Sequence, residues 1–137
     1  MGIDRAKLTA RLREKQAKDL LRRGFKVQAR ARVLLGGAAG HPRRIRTKRL
    51  WSSVQVQLRA FGGSPVVRIG TNVRYSRRVH DGTGIYGPRR RPIRPKRGKF
   101  LVFTPRNGIQ SRKVFVREVK GMRQNQYLRD ALPAARD

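Results

Sequence analysis

VHDGTGIYGPRRRPIRPKRGKFLVF, residues 79–103, decides how the rest of the chain is read. It opens on a glycine-rich turn, His80-Asp81-Gly82-Thr83-Gly84, and closes on an apolar run, Phe100-Leu101-Val102-Phe103. Arg89, Arg90, Arg91, Arg94, Lys96, Arg97 and Lys99 lie between them, with no acid. Pro88, Pro92 and Pro95 remove amide donors and fix φ, which keeps the run out of a helix and out of a central strand. The expectation is an extended basic loop over 85–99, held by a turn before it and a buried strand after it.

Charge sets the class of partner. The chain has 137 residues, with 36 Lys and Arg against 7 Asp and Glu, a formal net charge of +29. Such a chain repels itself until something anionic is near, so a polyanion or an acidic protein is the natural neighbour. The length fits one domain, 1–137, with a modest core. There is no cysteine, hence no disulfide framework and no thiolate metal site. No stretch is apolar for long enough to cross a membrane as a helix, and no signal-peptide core is seen. A cytoplasmic or assembly-bound protein is expected.

Upstream of the basic loop, residues 4–35 read as one long helix. Asp4 suits its start, and Leu8, Leu12, Leu20, Leu21, Phe25, Val33 and Leu34 recur at helical spacing. Gly24 is a point of bending or breakage. Gly36-Gly37 and Gly40-His41-Pro42 end the helix, and residues 41–50 read as a basic loop. Ser53–Ala60 alternates with period two, Phe61-Gly62-Gly63-Ser64-Pro65 turns, and Val66–Gly70 returns, which gives a hairpin. Residues 72–80 suit a short helix with Val73 and Tyr75 or Val79 inward.

Downstream, Lys99–Thr104 and Lys113–Val119 read as strands around a turn at Asn107-Gly108. Asn125 can cap a last helix, Gln126–Arg136, with Tyr127, Leu128, Ala131 and Leu132 on one face and Pro133 opposing its continuation. The expected class is α+β: a long N-terminal helix, a small, mostly antiparallel sheet of about four strands, a short middle helix and a C-terminal helix.

Catalysis finds little material. Two histidines and seven acids make a thin stock of general acids and bases, and no Gly-x-Ser-x-Gly elbow is present. His80-Asp81-Gly82-Thr83-Gly84 reads as a turn in which Asp81 bonds the backbone and the glycines take positive φ. No enzyme activity, metal or cofactor is expected.

Taken in order, three segments resemble siphophage tail-completion, or head–tail joining, proteins. Thr47-Lys48-Arg49-Leu50-Trp51-Ser52-Ser53-Val54 resembles that family's Thr-Gly-Arg-Leu-x-x-Ser-Ile. Tyr75-Ser76-Arg77-Arg78-Val79-His80-Asp81-Gly82-Thr83 resembles its Tyr-Ala-x-x-Val-Glu-x-Gly-Thr. Val119-Lys120-Gly121-Met122 and Asn125-Gln126-Tyr127-Leu128-Arg129-Asp130-Ala131-Leu132 resemble its ending, where an Asn-Pro-Phe-Leu-x-x-Ala-Leu-like helix closes the domain. This chain has Lys48, His80 and Gln126 where the family has Gly, Glu and Pro. The resemblance covers most of the chain. It implies a structural virion protein that assembles as a ring, commonly hexameric, between head connector and tail, with genomic DNA passing through the lumen. The family positions are Thr47, Leu50, Tyr75, Val79, Gly82, Thr83, Asn125, Tyr127, Leu128 and Leu132. The Arg89–Lys99 arm would then meet an adjacent ring or DNA phosphates without reading sequence. The competing expectation is a ribosomal or nucleoid-type nucleic-acid binder, since a basic Pro/Gly-rich extension on a small α+β body suits that class as well.

Overall fold

Asp4 starts the first helix as its residue type suggests: one carboxylate oxygen accepts from the Ala6 amide at 3.1 Å and the Lys7 amide at 3.3 Å. The computed structural model describes residues 4–44, 48–104 and 112–136. The helix, α1, runs Arg5–Leu35 without interruption. Gly24 does not break it. A Cβ there would lie 2.8 Å from Val67 Cγ1 and 2.9 Å from Val56 Cγ1, so the missing side chain is what lets the hairpin lie close against the helix. Gly36 and Gly37 then end α1, Gly37 with φ of 97°.

A short helix, α2 (Arg49–Ser53), forms where the basic loop was expected to end and the first strand to begin. The Ser52 and Ser53 hydroxyls donate to the carbonyls of Arg49 and Leu50, and Leu50 is buried, which anchors the turn. The hairpin follows as expected: β1 (Gln55–Phe61) pairs antiparallel with β2 (Ser64–Gly70), Leu58 opposite Val67. The core of this unit is Val27, Ala31, Leu34 and Leu35 of α1 with Leu50, Val54, Val73, Tyr127 and Ala131. Two α1 side chains tie it to the entry of β1. Gln28 Nε2 donates to the Val54 carbonyl at 2.6 Å, and Arg32 donates to the same carbonyl at 3.1 Å while lying 4.9 Å over the Trp51 ring.

The last helix is corrected. Gln126–Arg136 contains one α-type turn, Asp130 amide to Gln126 carbonyl at 2.9 Å, and then a 3-10 turn, Leu132–Ala135. Pro133 lacks the N–H that would bond Arg129, and its ring collides with that carbonyl in an α-helix, so the chain tightens to i→i+3 bonds. Tyr127 and Ala131 are buried as expected, but Leu132 is exposed. These residues pack on α1 and belong to a unit formed by 1–76 and 126–137.

A second unit spans Arg77–Asn125. It is reached through α3 (Ser76–Asp81), which takes up the second half of the 72–80 stretch expected to be helical and runs one residue past it; of the candidates there, Val73 and Val79 are buried and Tyr75 is not. The expected strands appear as β3 (Leu101–Phe103) and β4 (Val114–Val116), paired antiparallel. They make their own two-stranded sheet, so the four strands form two ribbons and not one sheet. Residues 100–103 are also not the buried strand expected: Phe100, Val102 and Phe103 are all exposed. A ribbon of two three-residue strands has too little width to cover either of its own faces. The Asn107-Gly108 turn lies outside the described residues. The architecture is α+β.

Candidate functional site

The basic arm grows out of a backbone crossing. Thr83 donates its amide to the Met122 carbonyl at 2.9 Å, Ile85 donates to Lys120 at 2.8 Å, and the Met122 amide donates to the Thr83 hydroxyl at 2.9 Å. Gly84 and Gly121 meet at this point with φ of 65° and 97°. A Cβ on Gly84 would enter the Lys120 carbonyl, and one on Gly121 would enter that of Thr83. The two strands of chain can pass this closely only because both residues lack side chains. The glycine-rich turn is therefore the floor of the arm.

The Asp81 carboxylate beside it is engaged by side chains, in place of the backbone bond expected. His80 Nδ1 lies 2.8 Å away and Arg77 Nε 3.4 Å away. The hydrogen bond to His80, with help from Arg77, holds the Asp81 carboxyl below its ordinary value.

Above the crossing, a short 3-10 turn (Gly84–Tyr86) leads into the arm, and Arg123 lies 5.6 Å over the Tyr86 ring. The arm has a third fixing point, which sequence did not reveal. Ile93 and Val119 form an isolated antiparallel bridge, with amide–carbonyl bonds of 2.8 and 2.9 Å in the two directions. Next to it Arg94 Nε and Nη2 each reach Glu118 Oε2 at 3.0 Å. Both contacts are exposed, so the ion pair adds little stability by itself. Its effect is on charge: Glu118 neutralises Arg94. Arg89, Arg90, Arg91, Lys96, Arg97 and Lys99 are exposed and have no carboxylate partner among the described residues. One signal was available in advance, since Glu118 is one of only two acids between residues 77 and 125 and lies beside the strand that the arm approaches.

The arm is thus an ordered loop that presents six unneutralised cations over about a dozen residues. Chemically it can bind phosphates or carboxylates. Among the described residues, no group of three or more His, Cys, Asp or Glu could hold a metal ion, and no helix is long and apolar enough to cross a membrane.

The family-like positions fall in both units. Leu50 and Tyr127 are buried in the first, Leu128 is half-buried there, and Leu132 and Tyr75 are exposed. In the second unit Val79, Gly82 and Asn125 are buried, Thr83 forms the crossing, and the Asn125 amide donates to the Val79 carbonyl at 2.9 Å. Thr47 lies outside the described residues. Searches for related proteins found no matching family model, curated protein or solved structure.

Proposed function

We propose that this chain is a structural protein of a tailed-phage virion, forming a ring at the head–tail interface that joins connector to tail around the DNA channel. The ring is a homo-oligomer, with six copies favoured, and DNA contact is through phosphates without base readout. The chain has no catalytic role in this reading and carries no cofactor. It resides in the virion neck and, during assembly, in the host cytoplasm.

One observation supports the reading most. The 75–83 and 119–125 segments, which resemble the family separately, are hydrogen-bonded to each other through Thr83–Met122 and Val79–Asn125. Their crossing makes the basic run a displayed internal loop, suited to docking between assembled parts. The test is purification of the phage particle, peptide mass spectrometry, and a cryo-EM map of the neck. The expected result is a ring of this chain with Arg89–Lys99 against the lumen or an adjacent ring. Absence from purified particles, or an arm free in outer solvent, would overturn the proposal.

The six cations without a carboxylate partner favour a second reading, a ribosomal or nucleoid-type nucleic-acid binder. Purified chain that holds free RNA or DNA tightly at physiological salt, with a steep salt dependence, would select that reading.

A further inference from the structure

The β3–β4 ribbon presents a surface that the described residues leave open. Val102 and Phe115 are directly opposite in register and are 53% and 61% exposed; Phe100, next to β3, is 46% exposed. Lys113 and Arg117 flank Phe115 two residues to either side and are exposed, as is Lys99. The result is an apolar centre with a cationic rim, the usual anatomy of a protein interface. Among the described residues β3 pairs with β4 alone, so among them its outer edge has no strand partner. A two-stranded ribbon is marginal in water, and a third strand is what such a sheet lacks.

Charge selects the occupant. Asp81 and Glu118 are the only acids between residues 77 and 125, against fifteen Lys and Arg. Both acids are already engaged, Asp81 by His80 and Arg77 and Glu118 by Arg94. Nothing in this unit can neutralise a second cationic rim, so a second copy would set like charges against each other. Nucleic acid would satisfy the rim, but it offers nothing to the open strand edge or to the aliphatic Val102. An acidic extended polypeptide satisfies all three.

We propose that the β3 edge is a strand-addition site for an acidic segment of a different protein. Apolar residues of that segment lie beside Phe100 and Val102 on the face that Phe115 shares, and its negative charge complements the cationic rim of Lys99, Lys113 and Arg117. Backbone pairing supplies affinity and the alternating side chains supply selectivity. The site does not depend on the virion reading: it would stand if the chain were absent from phage particles, and the ring could stand without it.

The test uses the full chain and fluorescence anisotropy with a labelled peptide of alternating Glu and Val. Three probes accompany it: the same peptide N-methylated on alternate amides, a polyglutamate of equal charge, and an oligodeoxythymidylate of equal charge. The alternating peptide should bind at least about tenfold more tightly than the N-methylated form or polyglutamate. Phe115→Ala should abolish that advantage, while the N-methyl comparison needs no variant and so does not depend on the variant's folding. Equal binding of peptide and polyglutamate would reduce the surface to charge alone. Oligodeoxythymidylate binding that competes with the peptide and falls on Phe115→Ala would reassign it to nucleic acid. Self-association of the chain that is lost in Phe115→Ala and blocks the peptide would reassign it to a second copy. Each of these three results overturns the proposal.

Discussion

Gly24 and Tyr127 show how much a single residue's surroundings alter its ordinary behaviour. In an exposed helix interior, Gly→Ala stabilises by about 1 kcal/mol. Here Gly24→Ala would press a methyl into Val56 and Val67, both stiff at χ1. The expected outcome is a net loss of about 1–3 kcal/mol, measured by urea denaturation; a gain would show that the hairpin can shift away from α1. Tyr127 is fully buried, and burial pushes its phenol up to about 12, with a hydrogen bond to Ser76 opposing the rise. The folded value lies above the unfolded value near 10, so this contribution is intact below about pH 10 and is lost as pH rises towards about 12. Its size is about 2 kcal/mol. Chemical denaturation across that window should show the loss in the native chain and a smaller one in Tyr127→Phe. Gly24 was legible as a special position but with the wrong meaning. Helix propensity speaks of a break, whereas its use lies in a partner distant in sequence.

At the scale of elements, α1 divides along its length. Its buried residues are Gly24, Val27, Ala31, Leu34 and Leu35, all in the second half, while Leu8 and Leu12 are about half exposed. Leu34→Ala should therefore cost about 2–5 kcal/mol, and Leu12→Ala less than about 0.5 kcal/mol. Thermal unfolding of the two variants checks this, and equal losses would contradict the division. The helix itself and the β1–β2 hairpin could be read from sequence because their signals are local: an N-cap, a 3.6-residue period, an alternation broken by Gly-Gly. Partitioning of four strands into two ribbons could not, because strand pairing depends on which distant segments meet. The final segment failed for a different reason. Tyr127 and Ala131 have helical spacing and are indeed inward, yet Pro133 has no amide to give the Arg129 carbonyl its i+4 bond, and after the first turn only i→i+3 bonds remain.

For the molecule as a whole, the +29 charge is the dominant quantity. Replacing Arg89, Arg90 and Arg91 together with Gln should lower duplex-DNA affinity about equally for all sequences. It should also flatten the slope of log K against log salt by nearly one per residue that contacts a phosphate. An unchanged slope would place those three side chains away from the phosphates. Composition gave a polyanion or acidic partner as an expectation, and the seven basic residues read as an arm are all exposed in the structure. What sequence did not show was that the arm is restrained at its middle by Ile93–Val119 and Arg94–Glu118, because a bridge between single residues has no periodicity.

The glycine crossing also has a consequence for the order of events during synthesis. The arm is synthesised before Lys120 and Gly121 exist to close beneath it. At about 5–20 residues per second, that interval lasts roughly one to several seconds. During it, Arg89–Lys99 is an unshaped polycation beside ribosomal RNA. Closure then joins positions 39 residues apart, an entropic cost that is met only when the later segment arrives. The loop's final geometry is therefore a late product of folding, and a chain stopped before residue 120 would keep the charge and lose its shape.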